Sequence, residues 1–133
     1  MTIRVVRDQQ APMRHEIHIG PNSLTTDLSV EEGGAGSGPS PHDLYDAALG
    51  ACKALTVLWY AKHKGIPVQG IEVSVERDAS QERAGIYRLS AALSLTGNLS
   101  AAQRDELLRV AQKCPIHKLM TEVTTQIATT LSH

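Results

Sequence analysis

The side chains most able to do covalent chemistry in this sequence are two cysteines, Cys52 and Cys114. They lack the C-x-x-C spacing of a zinc ribbon or a thioredoxin-type site, and two are too few to staple a secreted scaffold. In a compartment where stable disulfides are unusual, transient ones are often catalytic, so the pair points to thiol redox chemistry. Cys114 stands before Pro115, which pushes it out of helical geometry and can open one more helical turn. A sulfur there lies near unpaired backbone N–H groups and within reach of His117, an arrangement expected to lower its pKa. Cys52 is expected in mid-helix, where the dipole gives no help and a thiolate needs a cation from another segment or another subunit. Within its own helix Lys53 points about 100° away, and Asp43 lies roughly 13 Å along the axis. The plainer alternatives are that Cys52 is a small packing residue of an apolar core and that Cys114 is an N-cap stand-in under the second helix.

The other reactive side chains carry less. Of the six histidines, His42 and His117 are the best candidates to join the cysteines around a metal. However, His42 and Cys52 would lie about 15 Å apart along one helix and on different faces, which one ion does not span. No metal and no cofactor is therefore expected. Gly33-Gly34-Ala35-Gly36-Ser37-Gly38-Pro39 precedes a helix, yet it has neither a Walker lysine nor a G-x-G-x-x-G pattern, so it reads as a mobile loop rather than a phosphate cradle.

The chain that positions these residues has 133 residues, no phenylalanine and 41% apolar side chains, enough for one domain over 1–133 with an aliphatic core. A formal charge of −1 without a basic run argues against nucleic acid as a partner. Arg4, Arg7 and Asp8 interrupt the start, which argues against a signal peptide or membrane anchor and makes a cytoplasmic location the expectation.

Alternation predicts strands over Thr2–Val6, Arg14–Ile19 and Ser23–Val30. A long helix follows from about Pro41 to Lys64, with Ser40 and Asp43 as a capping box and Gly65-Ile66-Pro67 as its stop. On it Cys52 shares a stripe with Leu44, Ala48, Leu55 and Trp59, read as the packed side. Val68–Glu76 and Tyr87–Leu95 alternate as a hairpin, and Ser100–Gln103 caps a second helix ending near Lys113. A further turn runs through Met120, and Val123, Thr125, Ile127, Thr129 and Leu131 alternate as a last strand. The order βββ-α-ββ-α-β lacks the strand-helix-strand rhythm of a parallel sheet, so the expected class is a two-layer α+β fold with mainly antiparallel strands.

The segments Gly38-Pro39-Ser40-Pro41-His42-Asp43-Leu44, Ala47-Ala48-Leu49-Gly50-Ala51-Cys52, Tyr60-Ala61 with Gly65, and Cys114-Pro115-Ile116-His117 together resemble the OsmC/Ohr family of hydroperoxide-reducing proteins. The resemblance runs from the glycine-rich loop to the last strand and implies an OsmC-like intertwined homodimer with active sites at the subunit seam and long helices at its centre. It also implies a thiol peroxidase for organic hydroperoxides, with Cys52 attacking the O–O bond, Cys114 resolving the sulfenic acid as a disulfide, and a dithiol reductant restoring both. A family arginine from the N-terminal strands, held by a glutamate directly after the helix-start proline, steadies the thiolate. Arg14 is the choice here, with Arg7 second. The glutamate position is occupied by His42, and Asp43 follows one residue later as a shorter carboxylate. The rival function is a small-ligand-binding protein that keeps the fold without efficient peroxidase activity.

Overall fold

The first strands form because apolar side chains recur at every second position and meet in register. β1 (Ile3–Arg7), β2 (His15–Ile19) and β3 (Asn22–Thr26) make an antiparallel sheet in the order β1-β2-β3. Val5 lies opposite Ile17, and Ile17 opposite Leu24, which sets one apolar row across all three strands. The turn from β2 to β3 holds Gly20 at φ 58°, a left-handed value that a side chain would resist.

The third strand stops at Thr26, short of the expected Val30. Asp27 ends it. Its carboxylate accepts the N–H of Leu28, Ala35 and Ser37 and the Ser37 hydroxyl, so the chain curls around one buried acid instead of extending. Ser29 caps a short 3-10 turn over Val30–Glu32. The glycine-rich loop, expected to be mobile, is thus gathered on Asp27.

Helix α1 spans Pro41–Lys64 as the sequence predicts. The Asp43 N–H donates to the Ser40 hydroxyl and the Ser40 N–H donates to the Asp43 carboxylate, so the capping box is closed. At the far end Gly65 has φ 69°, and the Ile66 N–H reaches back to the Ala61 carbonyl at 2.8 Å. The face of α1 is where the structure corrects the sequence reading. Leu49, Lys53, Val57 and Ala61 are buried, whereas Leu55 and Trp59, on the stripe of Cys52, are 67% and 62% exposed. The packed side lies one residue, about 100°, from the expected one.

The computed structural model describes residues 1–133, which divide into two compact units, Met1–Ala47 and Ala48–His133. In the second, β4 (Val68–Asp78) pairs antiparallel with β5 (Arg88–Gly97), with Ile71 opposite Leu95 and Val73 opposite Leu93. Helix α2 (Ala101–Ala111) begins with a closed Ser100–Gln103 capping box. Val57 and Ala61 from α1, Leu107 and Ala111 from α2, and Ile66 form the core, with Ile71, Leu93 and Leu95 of the hairpin against it. Helices on one layer and a hairpin on the other follow from each element having one apolar face to hide. Helix α3 (Pro115–Thr121) closes the regular structure.

The α+β class with antiparallel sheets therefore holds, but the expected last strand over Val123–Leu131 does not form in this chain. Its alternation suits a strand, yet a strand needs a neighbouring ladder for its N–H and C=O groups. Ile127 and Leu131 are 83% and 91% exposed, so ordering the segment alone would cost conformational entropy with no apolar surface buried in return.

Candidate active site

The second unit brings Cys52 and Cys114 together. Helix α1 presents the half-buried Cys52 sulfur, which accepts the Ile116 N–H at 3.5 Å and lies 3.8 Å from the Thr56 hydroxyl. The Ile116 amide is free to point outward because it belongs to the first turn of α3, where no intrahelical acceptor exists. Cys114 is the N-cap of α3, in extended geometry at φ −65° and ψ 152°, and is fully buried. Its thiol has Cys52 as a hydrogen-bonding neighbour. Two neighbouring thiols can exchange between the reduced pair and a disulfide where their Cα separation falls in the range that such a bond allows.

The acidity expected of Cys114 is not what the site provides. Burial pushes its thiol above the ordinary value, because a thiolate in apolar surroundings loses its hydration. The Cys52 thiol beside it adds to the rise. The sulfur makes no cap hydrogen bond of ordinary length, but the His117 backbone N–H and the charge of Lys53 both favour the thiolate and oppose burial. Desolvation outweighs the helix-start effect on which the sequence reading relied.

Lys53 is the residue that reading set aside. It is buried, and its ammonium donates to the Ala111 carbonyl at 2.7 Å and to His117 Nδ1 at 3.0 Å. The signal was present in the sequence: a lysine in the middle of the Leu49, Val57, Ala61 stripe needs an acceptor waiting for it.

In the first unit Arg14 is held by Asp8. Nε and Nη2 both donate to Asp8 Oδ2, at 2.9 and 2.7 Å, and Nη1 reaches the Ser37 hydroxyl at 3.4 Å. The side-chain hydrogen bond to Asp8 raises the Arg14 pKa further, and Asp8 in turn is lowered, first by the Gln10 N–H and then by Arg14. Arg7, the second choice, is exposed on β1. His42 is exposed in the first turn of α1, and the Asp43 carboxylate accepts the Ser40 N–H. A hollow of about 200 Å³ in the same unit is lined by Met13, His15, Thr26, Asp27, Leu28 and Pro41. No group of three or more His, Cys, Asp or Glu side chains gathers where one ion would reach them. No helix is long and apolar enough to cross a membrane.

Solved structures share this architecture. One from Psychrobacter arcticus, named for an osmotic stress induced and detoxification response, is 23% identical over 92% of this chain and 89% of its own, with a TM-score of 0.75. An organic hydroperoxide resistance protein OsmC from Legionella pneumophila is 22% identical over 92% and 90%, with a TM-score of 0.64. The organic hydroperoxide resistance protein OhrB of Bacillus subtilis is 23% identical over 92% of each chain, with a TM-score of 0.59. At these identities the likeness establishes the fold. No curated protein sequence matches the chain. The family model described as OsmC-like protein matches residues 34–129, a span that takes in the glycine-rich loop, α1 with Cys52, the β4–β5 hairpin and the Cys114 corner. A match over that much of the sequence, together with the shared architecture, makes this chain a member of the OsmC-like protein family.

Proposed function

We propose that this protein is a thiol peroxidase that reduces organic hydroperoxides. The observation that carries the reading is the meeting of Cys52 and Cys114 in one unit, with an amide N–H already aimed at the first sulfur. The names of the Legionella and Bacillus relatives, which refer to organic hydroperoxide resistance, agree with it.

In the proposed cycle the Cys52 thiolate attacks the outer peroxide oxygen. An S–O bond forms, the O–O bond breaks, and the departing alkoxide takes a proton to leave as an alcohol; Cys52 becomes a sulfenic acid. Cys114 then attacks the Cys52 sulfur, the S–S bond forms, and the expelled hydroxide leaves as water with the proton given up by Cys114. A dithiol reductant restores the two thiols by exchange. Arg14 is the proposed cation for the Cys52 thiolate, with Asp8 fixing its guanidinium, and His42 and Asp43 are proposed to support that end of the site. The working form is proposed to be a cytoplasmic homodimer, and Leu55 and Trp59, exposed on α1, supply an apolar face for it.

Stopped-flow mixing of the reduced protein with cumene hydroperoxide tests the assignment. Cys52→Ser should abolish consumption, and Arg14→Ala should slow it by about tenfold for each pH unit by which the thiolate is destabilised. Cys114→Ser should consume one equivalent to reach the sulfenic acid, and a second where excess hydroperoxide carries it to the sulfinic acid, with no disulfide formed. Unchanged consumption by Cys52→Ser would sink the reading and leave the ligand-binding alternative.

A further inference from the structure

We propose that Lys53 is a positioning residue for the second thiol: by gripping the Ala111 carbonyl and the His117 ring it holds the α2–α3 corner against Cys52 and keeps positive charge beside Cys114 as that thiol gives up its proton. The proposal deepens the peroxidase reading and, for its place in the cycle, rests on it.

A lysine is a costly residue to bury, since its ammonium must recover inside the protein what it had from water. At this position on α1 an uncharged side chain of the same length would fill the same space. The two acceptors of Lys53 explain its presence, and they bracket Cys114 in the chain. Ala111 is the last residue of α2, so its carbonyl belongs to the negative end of that helix, where a cation is favoured. His117 lies in the first turn of α3. An ammonium has no lone pair to accept with, so Nδ1 of His117 is the acceptor and the ring carries its proton on Nε2. One charged group therefore spans the corner at which Cys114 sits and from which the Ile116 N–H reaches the Cys52 sulfur. On another side Lys53 borders a cavity of about 100 Å³ walled mainly by aliphatic groups such as Val73, Leu93 and Leu108, with Gln112 as its other polar lining residue.

The electrostatics agree with the geometry. The titratable groups that act on Cys114 are Lys53 and Cys52 from α1, with the His117 backbone amide from α3. Burial raises the Cys114 pKa, and the Lys53 charge counters it. When Cys114 attacks the sulfenic acid of Cys52, its proton ends on the departing hydroxide as water. A fixed positive charge lowers the cost of the thiolate that precedes this step, and it favours the same thiolate again when a reductant opens the disulfide at Cys114.

The presence of two cysteines makes the test direct. In reduced protein labelled with carbon-13 at cysteine Cβ and lysine Cε, each thiol gives one resonance, assigned with Cys52→Ser, and its titration is followed by NMR. Lys53→Met should move the Cys114 midpoint up by about one pH unit, a tenfold loss of thiolate at fixed pH. Lys53→Arg should restore most of it, because the charge is kept. A Lys53→Met midpoint equal to that of the wild type overturns the proposal. Should Lys53→Met fail to fold, the wild type decides: the Lys53 Cε resonance must shift with the Cys114 midpoint, and independence of the two overturns the proposal equally. These readouts use no peroxide. With one equivalent of cumene hydroperoxide, Lys53→Met should hold dimedone-trappable sulfenic acid at Cys52 about tenfold longer than the wild type, as the charge argument requires. Absence of both sulfenic acid and a Cys52–Cys114 disulfide in the peroxide-treated wild type would remove the peroxidase reading, while the reduced-protein titration would still settle the role of Lys53.

Discussion

Asp27 shows how much one side chain can organise. It is 3% exposed, and its pKa is lowered from 3.8 to about 2, chiefly by the Ser37 hydroxyl and then by the Ser37 N–H, against the opposing effect of burial. Because the folded value lies below the unfolded one, the stabilisation is complete above roughly pH 4 and is lost as the pH falls towards 2. The amide resonances of Ala35 and Ser37 should shift with a midpoint near the lowered value, and Asp27→Asn should remove that transition. A midpoint at the ordinary carboxylate value would show that the loop is not held in this way. At this scale the sequence revealed residue types but not their partners. Cys52 and Cys114 stand out because cysteine is rare in the chain, but neither the carbonyl that receives Lys53 nor the burial of Cys114 is a local property. Asp27 looked like a strand residue because its four donors lie up to ten positions ahead.

Elements with local end signals were the most legible. Pro41–Lys64 matches its expected bounds because Ser40, Asp43 and Gly65 fix both ends through hydrogen bonds among near neighbours. Ser100 works in the same way for α2, where its hydroxyl accepts the Gln103 N–H and the Gln103 side chain accepts the Ser100 N–H. Ser100→Ala should cost about 1 kcal/mol and lower the melting temperature by about 4 °C in a thermal circular-dichroism scan. Gly97 is a stricter case. At φ 134° a side chain is strained, and a Cβ there would run into the Pro67 carbonyl oxygen, so Gly97→Ala should destabilise more than Ser100→Ala in the same scan. The face of α1 was harder to read than its ends. Leu55 and Trp59 are as apolar as Val57 and Ala61, and composition alone does not say which stripe the β4–β5 hairpin and α2 will cover.

For the whole molecule, the exposed α1 stripe and the unpaired tail after Thr121 point the same way. Both carry apolar side chains that this chain leaves uncovered. The proposed homodimer would bury the α1 stripe and could supply a ladder for the tail. Sedimentation should therefore give a dimer for the wild type, with Leu55→Glu shifting it towards monomer. A wild type that sediments as a monomer at all concentrations would contradict the proposal. Val123–Leu131 alternates without forming a strand, because a pattern becomes a strand only where a second edge is within reach.

Trp59 is the single tryptophan, and it lies on the solvent side of α1 with its ring 3.9 Å from that of His63. Excited at the red edge of its absorption, where the three tyrosines absorb little, it gives an emission that comes almost wholly from a group outside the aliphatic interior. Intrinsic fluorescence will therefore report whether that helix side is wet or covered, and a blue shift on concentrating the sample would mark subunit association. Melting of the interior would leave the same signal nearly unchanged, so in dilute solution unfolding should give a full ellipticity transition with little change in emission.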